Sequence, residues 1–192
     1  MINNKIFLNS YANRGMDLEN DINITNKYYV DNDIALIYKK PTPIKVTKVS
    51  YPTRSKTIIN EAFYETPSTT DYNGIYRGKY IDFDAKEVKK LKSFALSNLH
   101  EHQLKHLISV KRHGGIAFLI VRFCITNSTY YIKIDDIENY INETQKKSIP
   151  IEYFEKVGFK IKDGYIPRLD YIKIINNLYF SDGGQNEKTE EN

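Results

Sequence analysis

The segment that most constrains the fold is Ile116–Phe123, IAFLIVRF, which follows Gly114-Gly115. It is far shorter than the roughly 18 apolar residues that cross a bilayer. A short apolar run set off by glycines reads as a strand buried on both faces. Candidates to cover it flank it. Upstream, FALSNLHEHQLKHLISVKRH places Leu96, Leu99, Gln103, Leu104, Leu107 and Ile108 at helical spacing, with the glycines as the stop. Downstream come a second strand, TYYIKI, a polar helix, DDIENYINETQKK, and a helix in PRLDYIKIINNL. Toward the N-terminus, MDLENDINITNKYYVDN fits an amphipathic helix with Asn13 as its cap, and IALIYKK a buried-type strand ending at Pro41. Asn73-Gly74 and Arg77-Gly78 are turn chemistry before the strand KYIDFDAKEV. This order predicts an α/β domain, a mixed central sheet with helices on both faces.

The length of 192 residues suits one domain, and 41% hydrophobic with 27% charged residues is the balance of a globular chain. Nothing in the sequence suggests a membrane span or an export signal, so a cytoplasmic location is expected. Residues 1–12 and the acidic tail 181–192 are expected to be disordered. The single cysteine, Cys124, excludes an internal disulfide and is expected to be buried as a small apolar residue. The net charge of +4 is unevenly spread. Ile34 to Asn60 holds no acid but carries Lys39, Lys40, Lys45, Lys48, Arg54 and Lys56. Pro41, Pro43 and Pro52 punctuate this stretch, which argues against a central strand and for a protruding arm over about residues 41–57. Charge alone fits a nucleic-acid contact and a solvated loop equally well.

The chemistry concentrates in KYIDFDAKEV. In an extended strand Asp82, Asp84 and Lys86 share one face, while Ile81, Phe83 and Ala85 share the other. Asp71, just upstream of the Asn-Gly pair, can approach Asp84 if the two segments pair. Two converging carboxylates suit Mg2+, and an adjacent lysine can stabilise charge developing at phosphorus. Asp-x-Lys alone is a weak signal, since any wet strand can carry it. Asp82 is read as a bystander that pairs with Lys79 or Arg77 and whose removal should matter little. His102 and His106, four apart on a helix, could form a zinc pair, but solvated helix histidines are the favoured reading.

The wider context is specific. KKPTP, SYPTRSKTIINEAFYETPSTTDYNGIYRGKYIDFDAKEVK, NLHEHQLKH, HGGIAFLIVRF and PRLDY occur in order. Together they resemble the RecU family of Holliday junction resolvases over about residues 13–178. The resemblance implies a restriction-endonuclease-like PD-(D/E)XK nuclease with a protruding basic stalk. It implies a homodimer with one active site per subunit, which nicks two symmetric strands of four-way junction DNA during recombination and repair. By the same resemblance Thr69, Asp71, Asp84 and Gln103 would hold Mg2+, with Mn2+ as a substitute. Lys86 would stabilise the transition state, and Glu19 matches a first-helix acid common in the superfamily. Asp84 stands where the family has glutamate. The stalk would carry Lys39, Lys40, Lys45, Lys48, Arg54 and Lys56 to the junction, with Tyr51 able to stack on an opened base, although ordinary packing is the favoured reading for that ring. Arg54 falls near a family arginine linked to the recombinase RecA. A junction-binding, RecA-modulating protein with little catalysis is the alternative, and a sequence-specific restriction-type nuclease is a third reading.

Overall fold

A computed structural model describes residues 17–53, 56–64, 69–90 and 92–181. The expectations for both termini, for Asn13 as a cap and for Arg54 lie outside those residues. The central sheet has six strands: β1 (Leu36–Lys39), β4 (Tyr72–Tyr76), β5 (Lys79–Val88), β7 (Ile116–Phe123), β8 (Ser128–Lys133) and β10 (Phe159–Ile161). They lie side by side in that order. β5 and β7 run parallel and every other neighbouring pair antiparallel, so the sheet is mixed as expected. The parallel crossover is made by α2 (Glu101–Arg112), which is why it must pass over one face of the sheet.

Strand alternation sorts the core into two layers. Ile81 and Phe83 of β5 with Ile116, Phe118 and Ile120 of β7 face α1 (Leu18–Asp31) and α5 (Tyr171–Tyr179). Leu119, Val121 and Phe123 face α2, α3 (Ile134–Thr144) and α4 (Ile151–Val157). Every residue of β7 is buried, as its composition requires. On the α1 side Tyr72, Phe83, Phe118 and Tyr131 stack across four adjacent strands, with centroids 4.9, 4.6 and 4.3 Å apart. Such ring pairs contribute about 0.5–1.5 kcal/mol each beyond their buried area. Buried Asp21 holds α1 down, its carboxylate 2.7 Å from Arg122 and 3.0 Å from Arg168. The start of α1 is capped by Asp17, and Leu18 N–H donates to Glu87 of β5 at 2.8 Å.

Several local expectations are corrected. The β4–β5 turn is Arg77-Gly78 alone, both at positive φ (46° and 76°), the geometry a two-residue hairpin requires. Asn73-Gly74 instead lies inside β4, where a Cβ on Gly74 would fall 2.0 Å from the Leu36 carbonyl oxygen of β1. That glycine serves close strand approach. β1 is an edge strand with Leu36 and Tyr38 exposed, not a buried one. The helix expected from Phe94 begins only at Glu101. Ahead of it Ser93–Ala95 (β6) pairs with Ser148–Pro150 (β9), followed by a 3-10 turn at Leu96–Asn98. Cys124 is exposed, because it sits where the chain leaves β7.

The basic segment forms a hairpin of β2 (Ile44–Thr53) and β3 (Lys56–Tyr64), paired only with each other. It is longer than the arm expected over 41–57, because Lys56–Tyr64, KTIINEAFY, supplies the return strand. Nearly every described residue in it is exposed, including Phe63, Tyr64 and Tyr51, whose ring is not packed. At about 3.3 Å per residue, ten-residue β2 spans roughly 33 Å.

Candidate active site

Phe83 fills the α1-side core, so the pleat sends Asp82, Asp84 and Lys86 together toward α2. Asp84 is fully buried, and Asp71 lies half-buried in the loop entering β4. Two reciprocal bonds join loop and strand. Asp71 N–H donates to Asp84 Oδ1 at 3.2 Å, and Ala85 N–H donates to Asp71 Oδ2 at 3.2 Å. Lys86 Nζ lies 2.6 Å from Asp84 Oδ2. It also reaches Gln103 Oε1 at 3.4 Å, an oxygen aimed by a 3.2 Å bond from His100 N–H at the start of α2. Thr69 is exposed at the rim, its hydroxyl 3.3 Å from Lys40 Nζ.

The structure therefore brings Asp71, Asp84, Lys86 and Gln103 into one cluster, with Thr69 at its edge. Asp84 cannot ionise cheaply there. Burial first, then a carboxyl–carboxylate hydrogen bond with the Asp71 side chain and that neighbour's negative charge, push its carboxyl up to about 8, with Lys86 pulling the other way. Two carboxylates and an amide oxygen make an all-oxygen donor set, which hard divalent cations prefer. Among the described residues no group of three His, Cys, Asp or Glu side chains converges. The acids here number two, with uncharged oxygens as the remaining donors.

Asp82 does not pair as expected. Its side chain is fully buried and contacts neither Lys79 nor Arg77; Oδ2 takes bonds from Lys40 Nζ at 2.8 Å, Tyr80 hydroxyl at 2.9 Å and His106 Nε2 at 2.9 Å. Oδ1 accepts from the Thr70 hydroxyl. His106 is thus anchored to a carboxylate, not simply solvated. The sequence did hold a signal for it: His106 is three residues beyond Gln103 and so lies on the same helix face. His100 and His102 stack on each other at 5.5 Å.

The five described cations of the acid-free interval separate in space. Lys45, Lys48 and Lys56 are on the hairpin, where Glu61 is the cross-strand partner of Lys48. Lys39 and Lys40 belong to the site's margin. Lys39 pairs with Glu19, which raises its ammonium's affinity for a proton against the effect of partial burial, with Asp71 and Asp17 adding to it. Glu19 also stands near the site through its backbone oxygen, 3.2 Å from the Tyr72 hydroxyl.

The family model described as "RecU: Recombination protein U" matches residues 13–177. A protein of Geobacillus kaustophilus (strain HTA426) named "Holliday junction resolvase RecU" is 49% identical over 174 residues, which cover 89% of this chain and 87% of that one. A protein of the same name from Bacillus cereus (strain G9842) is 46% identical, over 90% and 88%. Among solved structures, Archaeoglobus fulgidus Hjc, described as a Holliday junction resolvase from an archaeal hyperthermophile, matches with a TM-score of 0.39 and 13% identity. It covers 70% of this chain and 90% of its own. With its family model matched over most of its length and relatives of nearly half identical sequence, the chain belongs to the RecU family.

Proposed function

We propose that this protein is a structure-selective endodeoxyribonuclease that resolves Holliday junctions, nicking two symmetric strands with one active site in each subunit of a homodimer. The reading rests on one observation above the others: Asp71 and Lys86 gather on buried Asp84 in a chain whose relatives carry the name Holliday junction resolvase. Chromosomal junctions as substrate put its work in the cytoplasm.

What supports a divalent cation here is the cost of the acid pair. Asp71 and Asp84 are tied by main-chain bonds and cannot move apart, and Asp84 holds a proton to about 8. Asp71, Asp84, Gln103 and Thr69 would hold Mg2+, or Mn2+ in its place. When bound, the cation supplies Lewis acidity at the scissile phosphate. The protein's own residues do the rest. Lys86 presents an ammonium, held by Asp84 and Gln103, to the phosphate oxygens on which negative charge grows in the transition state. The Asp84–Lys86 pairing also stops the lysine from swinging to solvent. Asp71 keeps its carboxylate turned inward by accepting from Ala85 N–H. Lys45, Lys48 and Lys56 contact phosphates without reading sequence, which gives affinity for DNA shape.

The test is cutting of a synthetic mobile four-way junction, compared with linear duplex of the same sequence, in Mg2+ and in Mn2+. Paired nicks in the junction are expected from wild type and none from Asp71→Ala. Equal cutting by both proteins would remove the site assignment, and preferential cutting of linear duplex would remove the junction.

A further inference from the structure

The candidate site is built from three separate chain segments: the loop with Thr69 and Asp71, strand β5 with Asp84 and Lys86, and the first half of α2 with Gln103. Separate segments need something to fix their spacing. Among the described residues one side chain, that of Asp82, meets all three. Thr70, between Thr69 and Asp71, donates to Oδ1. His106, one turn beyond Gln103 on α2, meets Oδ2 at 2.9 Å, and Tyr80 of β5 donates to the same oxygen at 2.9 Å. Lys40 makes a second link to the loop. Its Nζ bonds Asp82 at 2.8 Å and Thr69 at 3.3 Å, while its backbone N–H donates to the Asp71 carbonyl at 2.7 Å. A wet ion pair could not fix these distances. Asp82 can, because its side chain is fully buried and all four donors converge on it.

We propose that Asp82 is a positioning residue for this site: with Lys40, Thr70 and His106 it braces the Asp71 loop and α2 against β5, so that the Asp71, Asp84 and Gln103 oxygens stand ready for a divalent cation. The inference rests on the nuclease reading for its purpose, but the brace itself acts in the metal-free protein. Partners that orient ligands typically govern metal affinity by about 10–100-fold.

Asp82→Asn keeps the shape and removes the charge that holds Lys40. Three measurements are made on it and on wild type: amide hydrogen exchange without metal, Mn2+ binding by calorimetry, and junction affinity without divalent ions. Faster exchange at the Asp71 and Ala85 amides is expected, roughly tenfold or more, with β7 amides unchanged. Mn2+ affinity should fall by about tenfold or more while junction affinity stays constant. Unchanged Asp71 exchange and Mn2+ binding would overturn the brace. So would a uniform loss of protection across β7, which marks a purely structural residue. If Asp82→Asn does not fold, the partly exposed His106→Gln carries the same test, with a smaller shift in the same direction expected and no shift overturning it. A wild type that binds Mn2+ but cuts no junction would remove the resolvase reading and leave the brace standing.

Discussion

The hairpin of β2 and β3 and the charged face of β5 both carry lysine, yet they are built on opposite terms. In the hairpin every described side chain but Ser50 is exposed, and its two strands pair with nothing else. On β5, Asp82 and Asp84 are fully buried and each carboxylate is met by several partners. An isolated hairpin is marginal in water, and bulges interrupt its pairing between Val46 and Val49. The buried face is over-determined and cannot relax. A protein that must hold DNA and also cut it gains from separating these properties. In the proposed reading the exposed arm would meet a variable DNA backbone while the buried face keeps atoms in place.

Breaking the rigid side should have the largest effect. Lys86→Ala is expected to lower the single-turnover cutting rate by roughly 10²–10³-fold with junction affinity nearly unchanged, read by cleavage and by mobility shift. Next comes packing. Phe83→Ala opens a hole in the aromatic stack and should cost about 3–5 kcal/mol in urea unfolding. Phe63→Ala on the hairpin, the same chemical change, should stay within about 0.5 kcal/mol. Similar losses for the two phenylalanines would mean that the hairpin is packed against something in solution.

The acid pair makes a pH prediction. Folded Asp84 retains its proton up to about 8, whereas the unfolded chain releases it near 3.8. Between those values the folded state binds the extra proton, so this group's contribution to stability declines as pH rises and levels off above about 8. Mg2+ held at the acid pair, as proposed, would have to displace that proton, so its stabilising effect should grow over the same interval. Urea midpoints measured with and without Mg2+ should therefore diverge toward pH 8, and Asp84→Asn should abolish the divergence. The smallest effect belongs to the hairpin. Replacing Lys45, Lys48 and Lys56 with alanine should flatten the log–log salt dependence of junction binding by about 0.9 for each phosphate left without its lysine, with stability unchanged.

How much of this was legible in the sequence depends on whether an interaction is local. The two-residue period placed Asp82, Asp84 and Lys86 on one face correctly, and the apolar run identified β7 as the buried centre. The motif brought Asp71 to Asp84, as the reciprocal bonds show. What failed was whatever distant neighbours decide. Asp82 reads as wet until Lys40, Thr70 and His106 are seen around it, from positions 42, 12 and 24 residues away. Gly74 reads as a turn until β1 is seen lying against it. Lys39 and Lys40 read as part of a basic arm, although β1 returns them to the site. A charge count along the chain cannot tell a lysine facing solvent from one neutralised by a buried acid.

Single-turnover cutting of a junction already saturated with protein, started by adding Mg2+, separates the two regions most directly. At saturation the Lys45, Lys48 and Lys56 alanine variant should cut within about threefold of the wild-type rate, because weaker binding no longer counts, while Lys86→Ala should fall by about 10²-fold or more. A hairpin variant that stays slow at saturation, or a Lys86→Ala protein that cuts normally, would contradict the division of labour between a DNA-holding arm and a cutting face on β5.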